Sequence, residues 1–179
     1  MKQCFPFRLF PYFLLATIMI MAYSCKKNDD GISPGTGYFM RFKVNGTQVE
    51  YKVDVKATFD EVGSGQHSTA IVGVKDALED SKNNMILMLA TENETQTGLT
   101  YTCYTTGTSG MQKAGLLLLV YADENGKDYS SWPEELASAL PAGTETKATI
   151  KITEATTDYI KGNFSGVLYN DDYTAKLNI

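Results

Sequence analysis

Three features of the sequence predict an all-β fold, an antiparallel β-sandwich or flattened barrel of about eight or nine strands with at most one short helix. Residues 48–56 alternate without a break, Val49, Tyr51, Val53 and Val55 against Gln48, Glu50, Lys52, Asp54 and Lys56. A period of two puts every charge on one side of a strand, leaving one buried face and one wet face. Two continuous apolar runs, residues 85–90 and 116–121, read as central strands covered on both faces. Turn-rich segments recur at spacings of roughly 8–15 residues, as in sandwiches and barrels.

Taken in order, residues 38–44 form the first strand, with Tyr38, Met40, Phe42 and Val44 sharing a side. Asn45-Gly46 is the favoured two-residue type I′ hairpin turn, and residues 48–56 return from it. Residues 57–68, rich in Gly and Ser towards their end, read as a loop. Strands follow at 69–75 and 85–90. Leu99, Tyr101 and Cys103 share a face of the next strand, and residues 105–112 form a small-residue loop before the second apolar run. Asp123-Glu124-Asn125-Gly126 turns the chain. Ser131, with Glu134 three residues on, is placed as a helix cap, and Pro141 stops that helix within two turns. Residues 146–153, 159–169 and 173–179 supply the last strands, the final one aligning Tyr173, Ala175, Leu177 and Ile179.

The segment ahead of these strands has a different character. Lys2 and Arg8 are the only charges before Cys25, and residues 9–23 are almost wholly apolar. A positive start, a short apolar block and a small residue before the cut form the secretory pattern. A spanning helix needs about 20 residues, and Pro11 shortens the regular stretch further. The organisation that follows is a signal peptide over residues 1–24, Cys25 and a flexible Gly/Ser/Pro tether over residues 25–37, and one domain over residues 38–179. Without the leader, 14 Lys and Arg face 21 Asp and Glu, a net charge of −7. That balance argues against a nucleic-acid partner and against attraction to an anionic membrane surface. Cys103 is the one thiol left for the folded domain, so no internal disulfide is available.

Ala22-Tyr23-Ser24-Cys25 resembles a bacterial lipobox, and Lys26-Lys27-Asn28-Asp29-Asp30 resembles the charged export signal of Bacteroidota lipoproteins. Ala22 and Tyr23 depart from the commonest lipobox, which has Leu and a small residue there. Three further stretches resemble small Bacteroidota cell-envelope lipoproteins with a β-sandwich domain of unknown function. They are Tyr38-Phe39-Met40-Arg41-Phe42-Lys43-Val44-Asn45-Gly46, Thr97-Gly98-Leu99-Thr100-Tyr101, and Ile160-Lys161-Gly162-Asn163-Phe164-Ser165-Gly166. The resemblance implies lipidation at Cys25, a lipid anchor in the outer membrane facing the cell surface, and a sandwich fold. It brings no activity or site residues. Several acyl chains bury tens of CH₂ groups at ~0.8 kcal/mol each, which makes such an anchor effectively permanent.

Chemistry is sparse. His67 is the single histidine and is placed in a solvated loop; no G-x-S-x-G elbow accompanies it. Residues 123–128 miss the calcium-loop spacing and read as a turn. Glu134 and Glu135 are the nearest approach to a paired-carboxylate hydrolase, but adjacent helical residues point apart. No catalytic residue, metal ligand or cofactor is assigned. The aromatic residues Trp132, Tyr129 and Tyr104, with Phe59, fall at or near loops, where a flat ring can stack on a ligand; for Trp132 the plainer reading, a plug at one end of the sandwich, comes first. The expectation is a non-catalytic binding module for a glycan or peptide. The alternatives are a structural, adhesive or accessory component of an envelope complex and, after it, a hydrolase with a carboxylate pair.

Overall fold

The computed structural model describes residues 38–61, 65–76, 82–156 and 159–179; the leader, Cys25 and the tether lie outside them. The described chain is all-β. Strands β1 (Met40–Val44) and β2 (Thr47–Tyr51) make a two-stranded hairpin. A second, larger sheet runs β3-β4-β5-β8-β9-β11-β10-β6-β7, with β12 on β11. Its strands are β3 (Asp54–Glu61), β4 (His67–Val74), β5 (Asn84–Thr91), β6 (Thr100–Thr102), β7 (Met111–Lys113), β8 (Leu116–Ala122), β9 (Asp128–Ser130), β10 (Ala148–Ala155), β11 (Ile160–Tyr169) and β12 (Lys176–Asn178). Its pairs are antiparallel except β6–β7, which is parallel. It does not close into a barrel. The described residues hold twelve strands against the eight or nine expected, because four are only three residues long. Three residues carry too little alternation to be read as a strand.

The sheet folds over on itself through β11. Residues Ile160 to Gly166 of that strand pair with β10, and its end pairs with β12 and β9. Leu87, Leu89, Leu117 and Leu119 from β5 and β8 thereby share one buried cluster with Ala148, Ile150 and Ile152 of β10. The β1–β2 hairpin plugs this core. Phe42 meets Tyr51, Tyr121 and Phe164 at ring distances of 5.3, 5.8 and 5.9 Å. Asn45 and Gly46 have φ of 49° and 88°, as the predicted type I′ turn requires. The Asn45 N–H also donates to the Asn178 carbonyl, and the Asn45 side-chain oxygen accepts the Asn178 N–H, both at 2.9 Å.

Four local expectations are corrected. Residues 48–56 are not one strand: the chain leaves β2 at Lys52 and Val53 and crosses to the large sheet. Tyr51 and Val55 keep the same parity on either side of the break, so the alternation hides it. Most of the loop expected at 57–68 is the β3–β4 hairpin, paired in continuous register from Asp54↔Val74 to Glu61↔His67. Its polarity marks an edge strand, wet on one side. The helix is a six-residue 3₁₀ helix, Glu134–Ala139, with Pro133 as its cap residue. Ser131 is buried and accepts the Leu119 N–H at 2.9 Å instead. The last strand shrinks to β12, because Tyr173 takes a left-handed turn conformation, φ 58°.

The two apolar runs are β5 and β8. On the core side Met85, Leu87, Leu89, Leu117 and Leu119 are buried; on the other side Ile86, Met88 and Val120 are half-buried and Leu118 is buried.

Candidate binding groove

A groove of about 770 Å³ opens between the two halves of the sandwich. Strands β3 to β5 give it Val55, Ala57, Ile71 and Leu87; β10 and β11 give it Ile150, Ile152, Ile160, Gly162 and Phe164. The strand alternation explains the lining: Ala57, Ile71 and Leu87 lie directly opposite one another across three strands, so their side chains share the core face. The backbone at the start of β1 brings Tyr38, Phe39, Met40 and Arg41 to the rim.

Gly162 shapes the opposite wall. A Cβ there would lie 2.4 Å from the Lys151 carbonyl oxygen. Only glycine lets β11 approach β10 this closely, and the pairing shifts by one residue immediately beyond, at Ile152 to Glu154.

Two charged aromatic units flank the mouth. Arg41 sits 5.1 Å from the Phe39 ring centre and pairs with Glu50 at 2.5 Å. Lys161 sits 5.0 Å from the Tyr159 ring centre and pairs with Glu154 at 2.7 Å, while the Tyr159 hydroxyl donates to the same carboxylate. Lys161 and then Tyr159 hold the Glu154 carboxyl below its ordinary range, and the bond to Glu154 pushes the Tyr159 phenol up. Phe39 is 56% exposed, unusual for so large an apolar ring.

A second groove, about 400 Å³, lies beside β2 and includes Glu50, Tyr51, Tyr121 and Asp123. The buried Tyr51 hydroxyl makes no hydrogen bond of normal geometry. Burial, then the neighbouring Tyr121, push this phenol well above its usual range.

The aromatic residues singled out in the sequence lie elsewhere. Trp132 is half-buried and stacks on Tyr173, ring centres 6.0 Å apart at 30°, with its Nε1 buried and unpartnered. Tyr129 is only 8% exposed, tilted against Tyr121 with the Lys127 ammonium 5.6 Å from its ring centre. Tyr104 is half-buried, and its carbonyl accepts the Thr102 hydroxyl at 2.6 Å. Among the described residues, no ring contact joins these three, and none lines the groove. The groove's own rings, Tyr38, Phe39, Tyr159 and Phe164, were legible only as strand residues.

The other candidates take structural positions. His67 begins β4 opposite Glu61 and Thr91, not in a free loop. Glu134 accepts the Thr105 N–H and hydroxyl at 2.8 and 2.9 Å, and Lys113 lies 3.4 Å from Glu134 and 2.5 Å from Glu135. Thr105 and Lys113 hold Glu134 below the ordinary carboxylate range, and Lys113 does the same for Glu135. A general acid needs the opposite shift. Asp123 caps its own turn through the Asn125 and Lys127 N–H groups at 2.8 and 2.9 Å. Cys103 is buried, accepts the Ala148 N–H at 3.0 Å and has its thiol pushed up by burial. Comparison with family models, with curated proteins and with solved structures returns no match for this chain.

Proposed function

We propose that this chain is a lipid-anchored, surface-exposed, non-catalytic binding module of a bacterial outer membrane, and that the groove between the sandwich halves is its ligand site. The observation that carries the reading is the groove's lining: an aliphatic floor of Ile71, Leu87, Ile150 and Ile152 beneath an aromatic rim. Most ligand sites are concave and apolar with a few polar groups to orient the ligand. Between the two ligand classes expected from the sequence, the aliphatic floor favours a peptide with apolar side chains. A sugar ring wants hydrogen-bonding groups beside its stacking platform, and the Arg41, Lys161 and Glu154 groups at the mouth are already paired.

Peptide and glycan arrays probed with the purified protein test this. Peptide binding is expected to weaken at least about tenfold in Phe39→Ala and Tyr159→Ala, the loss of a buried aromatic anchor, and to survive Trp132→Ala. Glycan binding that survives the groove substitutions and vanishes in Trp132→Ala would overturn the groove reading.

A further inference from the structure

The open edge of β3 carries a pattern that matches itself. β3 pairs with β4 along its whole length, and among the described residues no strand pairs with its other side. Eight regular residues without proline or register shift make a long edge. Proteins ordinarily guard such edges with short strands, bulges, proline or charged side chains, because unpaired N–H and C=O groups recruit another strand; β3 has only the charges, and Lys56 and Asp60 among them are of opposite sign. Phe59 on this edge is 43% exposed, and among the described residues Asp60 makes no ion pair.

We infer that two copies of this chain associate through antiparallel pairing of their β3 edges, about a two-fold axis at Thr58. The charges select the register. Val55, Ala57 and Phe59 share the inner face of the sheet, Lys56, Thr58 and Asp60 the outer one, since Ala57 lies opposite Ile71 of the core and Lys56 opposite Val72. Residues directly opposite in an antiparallel pair point the same way. Keeping inner face with inner face therefore puts the axis on a residue. An axis at Val55 sets Asp54 against Lys56, but overlaps only residues 54–56 of the strand. One at Lys56 sets Lys against Lys. One at Ala57 sets Asp54 against Asp60. One at Phe59 brings no opposite charges together. At Thr58, Lys56 faces Asp60 of the other copy twice, and each Phe59 covers the other copy's Ala57. Lys56 pairs with Asp54 at 3.3 Å on its own strand, and because this pair lies on the surface the ammonium can exchange it for Asp60 of the other copy. The pairing is isologous and self-limiting, so it closes at two. Val55 and Ala57 also line the groove, so the pair borders it, but the pairing requires no groove ligand.

The test uses the full-length chain in native membranes and then in mild detergent. Thr58→Cys is expected to yield a disulfide-linked dimer on mild oxidation, while Phe59→Cys and the parent, with its own cysteines, do not. By sedimentation, Lys56→Asp and Asp60→Lys alone should each weaken dimerisation about tenfold or more, and the double swap should restore it. Recovery in the double variant cannot come from misfolding. No dimer from Thr58→Cys, a dimer preferring Phe59→Cys, or a double swap that stays monomeric would each overturn the inference.

Discussion

Single residues set the geometry of the groove, and Gly162 does so most sharply. Its Cα lies where any side chain would strike the Lys151 carbonyl, a backbone atom that cannot swing aside. Gly162→Ala is expected to cost about 2 kcal/mol, the usual scale of overpacking. Gly107→Ala, with nothing within 4 Å of the added carbon, should be close to neutral. Urea unfolding of the two variants checks this, and equal midpoints would remove the close-approach argument. Residue identity was a poor guide to exposure among the aromatics. Tyr129 sits between the polar Asp128 and Ser130 and Phe39 between Tyr38 and Met40, yet the first is buried and the second open. Local context points the wrong way, because exposure depends on which distant strand lies above each ring.

Elements are held to one another by a few polar ties as well as by the core. Glu145 reaches Lys147 at 2.7 Å and Lys176 at 2.9 Å, linking the approach to β10 with the start of β12. These two lysines, Lys147 first, lower the Glu145 carboxyl from 4.5 to about 2. A carboxyl lowered by folding stabilises above its unfolded value and loses that contribution as pH falls. Stability from this site is therefore complete above about pH 4.5 and drains away towards pH 2. Glu145→Gln should be less stable than the parent at pH 7, with the gap closing between those limits and shrinking in high salt. Denaturation across that range reads it; a pH-independent gap would place the effect elsewhere. At this scale the sequence read well where alternation was long. The hairpin turn at Asn45-Gly46 and the strands β4, β5, β8, β10 and β11 fall close to where the pattern puts them. It read poorly where a strand is an edge or three residues long, since such a strand buries too little to impose a pattern.

For the whole molecule, the proposed location rests on Cys25. Labelled palmitate should enter the parent chain and not Cys25→Ser, which should leave the membrane fraction while keeping the β-sheet signature of the domain. Label retained in Cys25→Ser would sink the anchor. A domain tethered to a surface meets its neighbours at high effective concentration. A single strand pair buries little area and is weak in dilute solution; confinement to a membrane would favour it.

By itself, the sequence determined that this chain is built of strands, because a period of two is a property of the local backbone and survives in any topology. It also determined the first hairpin, whose turn chemistry lies within two residues. Only the tertiary structure decided which strands face each other. Leu87 and Ile152 meet across the core although 65 positions separate them in the chain. That meeting makes the groove, turns Tyr159 and Phe39 into its rim, and leaves β3 as an open edge. The physical reason is that strand order is chosen by long-range burial, and alternation along one strand carries no information about its neighbour.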